Sequence, residues 1–358
     1  MAQKSPEGAN ADRARLVALL LRLGATEAEA RAAVEGPGGG DFALELNLRS
    51  GPPLTIEEAA EHTGLTTDEL VRVLGAFGLA APTTGRAAVP LDIADAIPVI
   101  SGAAQLLGEE TVLGIARVVG STSSRIAEAL VDAFRAGFEV PSLSAGTSYA
   151  DIVEQYVELT RATLPPFLDL LAAVIKAHLV KVSYGAWTPD IENQATRRDL
   201  FVGFVDLVGY TALSRTLTPR ELATLLGQFE DLVADVVSAK GGRLVKLIGD
   251  GAMFVADGPG AGCHISLGLC ERLALVDTLP PARVGADYGS VLSLYGDYFG
   301  EVVNRAARLV ALANPGTVVV SDTAAEAVDG KTFGLEQLPA QALKGFQAPA
   351  VTYRLLAR

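Results

Sequence analysis

The sequence predicts an α+β protein, an all-α N-terminal domain followed by a ferredoxin-like βαββαβ domain. Residues 12 to about 180 read as short amphipathic helices rich in Ala, Leu and Glu, with few β-branched runs and repeated cap signals. Residues 183–196, which include Trp187 and Pro189, break that pattern. Beyond them the signals run strand, helix, strand, strand, helix, strand, which is the order of the ferredoxin-like unit. The expected organisation is therefore a helical domain at residues 1–185, a linker at 186–196 and a second domain at 197–358.

In the helical part, Thr55-Ile56-Glu57-Glu58 and Thr66-Thr67-Asp68-Glu69 are capping boxes, each setting a hydroxyl and a carboxylate three residues apart where a helix begins. They bracket a helix-turn-helix with Gly64 at its turn. Such a motif invites DNA binding, but five acids (Glu57, Glu58, Glu61, Asp68, Glu69) stand there against one base, Arg72. That is the wrong sign for a helix that must approach phosphates. The expectation is a module for helix packing or dimerisation, and His62 and His178 are assigned no sensing role.

Bulk composition narrows the partners. A formal net charge of −13 over 358 residues repels polyanions at long range, which disfavours DNA, RNA and anionic lipid. An anionic nucleotide must then be met by a local cluster of cations. The two cysteines, Cys263 and Cys270, form neither a disulfide framework nor a CxxC metal site, which fits a cytoplasmic location. The first fifteen residues are polar and charged, so no secretory leader is expected. Residues 164–182 are the best membrane candidate, but Asp169, Lys176, His178 and Pro165-Pro166 interrupt them. The expectation is a buried helix and no transmembrane segment.

In the second part, residues 200–205 form a buried strand, and residues 244–248 and 252–256 form a hairpin with Asp250 at its tip. Thr218-Pro219-Arg220-Glu221 opens a helix running to about residue 240, with a capping Thr, a proline at the first helical position and a Glu three after the cap. A helix over 260–276 and a strand over 282–288 complete the unit; a helix at 301–313, a strand at 317–321 and two short strands near Phe333 and Val351 follow. Asp206, at the end of the first strand, and Asp250 can face each other across neighbouring strands. Two such carboxylates supply hard oxygen ligands for paired Mg²⁺ or Mn²⁺ ions, with positions left for phosphate oxygens and an attacking hydroxyl. Asp at a strand end or in a Gly-Asp-Gly turn is also ordinary turn chemistry, so the pair alone leaves both readings open.

The segments Phe204-Val205-Asp206-Leu207-Val208-Gly209-Tyr210-Thr211, Val245-Lys246-Leu247-Ile248-Gly249-Asp250-Gly251 and Gly296-Asp297-Tyr298-Phe299-Gly300-Glu301-Val302-Val303-Asn304-Arg305-Ala306-Ala307-Arg308 resemble, in order and spacing, the three signature blocks of class III nucleotidyl cyclases. The resemblance covers roughly residues 197–358 and implies an adenylate cyclase that makes 3′,5′-cyclic AMP from ATP. It implies that Asp206 and Asp250 bind two divalent cations, Mg²⁺ or Mn²⁺. It also implies that Lys246 and Asp297 read the purine; family members that use GTP typically carry Glu and Cys there. Asn304 and Arg308 lie four apart on one helix face and can serve one ligand. The resemblance gives Asn304 the ribose and Arg308 the charge on the α-phosphate, a role suited to a planar guanidinium. Lys344 resembles the late lysine that contacts the terminal phosphates.

Sites in this family lie between two catalytic domains, so a homodimer with composite active sites is implied. Only seven residues separate Gly289 from Asp297, a shorter arm than many members insert, as in a short-armed bacterial subgroup. The whole arrangement resembles soluble actinobacterial-type adenylate cyclases whose N-terminal helical domain controls the catalytic one. The segment from residue 164 to 187 is then expected to transmit its state.

Overall fold

The computed structural model describes residues 6–36, 38–79, 87–183, 197–343 and 349–358. The chain divides into two compact units, Met1–Trp187 and Thr188–Arg358. Residues 184–196, which include all of the expected linker, lie outside the described ones.

The first unit is helical: α1 (Pro6–Arg22), α2 (Glu27–Glu35), α3 (Gly39–Leu48), α4 (Ile56–Thr63), α5 (Thr67–Ala76), α6 (Leu91–Leu107), α7 (Glu109–Phe134), α8 (Val140–Ser144) and α9 (Tyr149–Ser183). A π-helical turn, Arg135–Glu139, joins α7 to α8. Both predicted capping boxes are formed, and a third stands at Thr26 with Glu29. Gly64 ends α4 in the left-handed conformation that its φ of 71° requires. Among the described residues, two small cores hold the unit. One gathers Leu16, Leu20, Ala43 and Leu46 with Ala150, Val153 and Val157 of α9; the other joins Ile56, Leu70, Leu74 and Ile97 of α4, α5 and α6.

The expectation of a buried helix at residues 164–182 is overturned. Val157 is the last buried residue of α9, and beyond it Leu168, Leu170, Ile175, Leu179 and Val180 are exposed. The reason is length: 35 residues at ~1.5 Å each make a rod of roughly 50 Å, and only its first turns meet the small core. Pro165 and Pro166 lie inside the helix. Among the described residues α9 is also the one helix long and apolar enough to cross a membrane by length and composition. Asp169, Lys176 and His178 make that crossing expensive.

The second unit carries β1 (Arg197–Leu207), α10 (Tyr210–Leu213), α11 (Pro219–Ala239), β2 (Arg243–Ile248), β3 (Gly251–Ala256), α12 (Pro259–Leu273), β4 (Ala282–Leu294), β5 (Asp297–Phe299), α13 (Glu301–Leu309), β6 (Val318–Ser321), α14 (Asp322–Ala327), β7 (Phe333–Gln341) and β8 (Ala350–Ala357). The strands form one sheet in the order β2-β3-β1-β4-β6-β8-β7, with β5 paired to β4. Its first four strands and α11 and α12 are the expected βαββαβ unit. The helix expected over 301–313 stops at Leu309 and tightens into a 3₁₀ turn, Val310–Leu312.

Side chains alternate across the sheet and sort the unit into two layers. Phe201, Val205, Ala252, Phe254, Ala282 and Val284 face α11 and α12, against Phe229, Val233 and Leu269. Leu200, Val202, Met253 and Val255 face the other way, against Val302 and Ala306 of α13. Asp206 shares the parity of the second set, so it belongs to the face that carries α13. Cys263 and Cys270 are buried in the first layer, where desolvation pushes both thiols up to about 12, so neither is a thiolate ligand or nucleophile near neutral pH.

Candidate active site

Asp250 stands where the sequence placed it. Ile248 pairs with Gly251, so Gly249 and Asp250 form a two-residue hairpin loop, and Gly249 at φ 60° supplies the left-handed first position of a type II′ turn. Asp206 pairs with Gly251 on the adjacent strand, and the Leu207 amide donates to the Asp250 carbonyl at 3.2 Å. The two aspartates are thus neighbours at one end of the sheet. Partial burial raises the Asp250 carboxyl above its ordinary range, and the Asp206 charge raises it further. Two hard-oxygen carboxylates side by side, one of them disfavoured in its ionised form, fit a divalent cation. Among the described residues no cluster of three or more His, Cys, Asp or Glu forms a complete cage, so other ligands would have to complete the coordination.

Arg283 is a neighbour that sequence reasoning missed. It pairs with Asp206 across β1 and β4, and its Nε and Nη2 donate to Asp206 Oδ2 at 2.9 and 2.7 Å. Its signal was the parity of β4: a charged residue at an even-odd step within Ala282-Arg283-Val284 faces the same side as Asp206.

Lys246 is re-aimed by a bulge. Leu244 opposes Phe254 and Lys246 opposes Met253, so Val245 is the extra residue and the Lys246 side chain joins the α13 face. There it forms an ion pair with Asp297 Oδ2. Asp297 reaches that point because Tyr295 (φ 52°) and Gly296 (φ 80°) make a two-residue turn with both residues left-handed, returning β5 along β4. Tyr298 anchors this hairpin in the layer with Leu200 and Met253. The expected short arm is therefore a tight β-hairpin.

Asn304 and Arg308 project from the exposed side of α13, opposite the buried Val302, Ala306 and Leu309. Neither side chain has a hydrogen-bond or ionic partner among the described residues. Lys344 lies outside the described residues. One chain thus brings together Asp206 with Asp250, and Lys246 with Asp297, and displays Asn304 and Arg308 from the helix on the same face of the sheet. Ile248, next to the Gly249-Asp250 turn, and Leu292, Leu294, Tyr295 and Phe299 of the hairpin that carries Asp297 expose large apolar side chains.

Residues 193–357 match the adenylate and guanylate cyclase catalytic domain family. An adenylate cyclase of Streptomyces coelicolor is 34% identical over 80% of this chain and 75% of its own length. An uncharacterized protein of Mycobacterium tuberculosis is 34% identical over 96% of this chain and 90% of its own length. Among solved structures, the adenylyl cyclase from P. aeruginosa aligns with a TM-score of 0.42 at 23% identity, over 45% of this chain and 95% of that one. These alignments to relatives extend across much of the helical unit as well as the catalytic one, and the chain belongs to the class III nucleotide cyclase family, beside the adenylate cyclases of actinobacteria.

Proposed function

We propose that the chain converts ATP into 3′,5′-cyclic AMP and pyrophosphate at composite sites between two copies, under the control of its helical unit. The observation that carries the reading is the Lys246–Asp297 ion pair on the same sheet face as Asp206, Asp250 and α13. A Lys donor beside an Asp acceptor complements adenine, whose edge offers a ring-nitrogen acceptor and an exocyclic amine donor. Actinobacterial relatives named adenylate cyclases agree with ATP over GTP.

Asp206 and Asp250 would hold two divalent cations, Mg²⁺ or Mn²⁺, whose chemistry is to acidify the ribose 3′-hydroxyl and neutralise the triphosphate. The rest is positioning and electrostatics. Asn304 orients the ribose so that the 3′-oxygen lies in line with the α-phosphorus. As that oxygen gives up its proton to solvent water and bonds to phosphorus, the bond to pyrophosphate breaks and charge grows on the α-phosphate oxygens, where Arg308 donates. Lys344 serves the terminal phosphates of the leaving group.

The exposed apolar residues Ile248, next to the Asp250 turn, and Leu292, Leu294, Tyr295 and Phe299, in the hairpin that carries Asp297, support a partner surface. A second copy would supply the metal-binding half opposite the half that carries Lys246, Asp297, Asn304 and Arg308. Complementation tests this directly. Asp206→Ala and Arg308→Ala copies, each inactive alone, should regain activity when mixed, because one mixed site is intact. A mixture that forms heterodimers and stays inactive contradicts the composite site.

Regulation is read from α9, whose exposed apolar half leads toward the catalytic unit in sequence. A chain beginning at Ala195 should differ from the full chain in activity or in its response to pH and ligands. Identical behaviour would remove the regulatory role.

A further inference from the structure

The buried charge cluster behind α13 belongs to none of the roles above. Asp287, on β4, is 0% exposed, yet it is a carboxylate in an apolar strand. Its Oδ1 accepts from the Tyr288 amide at 2.8 Å, from the Thr323 hydroxyl at 2.7 Å and from the Ser321 hydroxyl. Its Oδ2 accepts from Arg305 Nε at 2.7 Å. Arg305 keeps 20% exposure and also reaches Thr323 Oγ1 at 3.4 Å and Asp322 at 3.6 Å. Ser321 meanwhile caps α14, accepting from the Ala324 amide. One carboxylate therefore ties together β4, α13 and the junction of β6 with α14.

We infer that Asp287 and Arg305 are positioning residues for the cyclase reaction, fixing where α13 sits along β4 and hence where Asn304 and Arg308 meet the nucleotide. The inference rests on the reading that those two residues act on the ribose and the α-phosphate. Arg305 follows Asn304 in sequence and points inward where Asn304 and Arg308 point outward. The seat beneath is close: a Cβ on Gly285, two residues before Asp287 on the same face of β4, would lie 2.0 Å from the Val310 amide nitrogen. Burial of Val302, Ala306 and Leu309 presses α13 onto this seat, but apolar contact is non-directional and sets no register. A charged, directional bond to a saturated carboxylate does. A shift of ~1 Å in such a helix is enough to lower turnover by about 100-fold.

The test is steady-state kinetics with ATP on the full chain, at a temperature well below the unfolding midpoint of every variant. Arg305→Met and Asp287→Asn should lower kcat by roughly 10- to 100-fold while KM for ATP moves by less than about threefold, since the loss is in aligning reacting groups. Arg305→Lys, which keeps the charge but not the fork, should recover part of that loss. The double variant should be no slower than the slower single one, as for two ends of one interaction. If Asp287→Asn does not fold, the Arg305 series decides. Arg308→Ala is measured in parallel. Inactive Arg308→Ala with unimpaired Arg305→Met overturns this inference alone, as do single losses that multiply in the double variant. Arg308→Ala at the parent rate overturns the site reading itself, and the inference with it.

Discussion

Asp206 and Asp287 lie on the same face of adjacent strands, and each is held by an arginine, yet their surroundings differ. The Asp206 pair is partly open, with side-chain exposures of 26% and 28% for Asp206 and Arg283, and the arginine occupies only Oδ2. Asp287 is closed to water and both its oxygens are committed to protein donors. The same two residue types thus make an exchangeable contact at one place and a fixed joint at the other. What separates them is burial and donor number: a carboxylate with spare lone pairs and solvent access can still take a cation, whereas a saturated one can only organise its neighbours.

The largest effect expected from this contrast is on turnover. Asp206→Ala or Asp250→Ala should lower cyclase activity by about 10³-fold or more, beyond the loss for Asp287→Asn. Comparable losses at both places would erase the distinction. Stability should show the reverse order. Asp287→Ala removes the buried partner of Arg305 and leaves it only the longer contacts to Asp322 and Thr323, and should cost about 3 kcal/mol in a denaturant titration. Asp206→Ala should cost less than that, since its pair is only partly buried and keeps contact with water. Next in size is base preference, where Lys246→Glu with Asp297→Cys should move the ATP to GTP ratio of kcat/KM by at least about tenfold toward GTP.

A smaller effect follows from pH. Because folding raises the Asp250 carboxyl, the native chain binds more protons than the unfolded one between the ordinary carboxylate value and the raised one. This group therefore lowers stability as pH rises through that window, and contributes most below it. Cation binding needs the ionised form, so the rise in thermal midpoint produced by Mn²⁺ should shrink as pH falls through the same window. Asp250→Asn should show neither the intrinsic effect nor the Mn²⁺ effect. Smallest is Arg283→Met, which frees Asp206 of a competing cation and should tighten Mn²⁺ binding a few-fold in a calorimetric titration without nucleotide.

Much of the catalytic unit was legible because its signals are local. The capping box at Thr218, the Gly249-Asp250-Gly251 turn and the strand periods each declare themselves within a few residues. What stayed hidden depends on pairing between distant segments. The Val245 bulge that re-aims Lys246 is a mismatch of register between two strands, and neither strand shows it alone. The partnership of Asp287 with Arg305 spans 18 residues and two elements. Its one local signal is a carboxylate within Val284-Gly285-Ala286-Asp287, since a charge in a buried strand demands a partner. The exposure of α9 was misread for a related reason: apolar composition reports what a helix can bury, and its length against a small core decided how much of it does.

On the proposed reading, one face of this sheet turns ATP into a cyclic product through Asp206 and Asp250. The most direct measurement incubates the full chain with ATP or GTP and Mn²⁺ or Mg²⁺, and follows cyclic nucleotide and pyrophosphate together. The expected result is 3′,5′-cyclic AMP and pyrophosphate in equal amounts from ATP, and none from Asp250→Ala. No cyclic product from either nucleotide, or a product that survives Asp250→Ala, would contradict it.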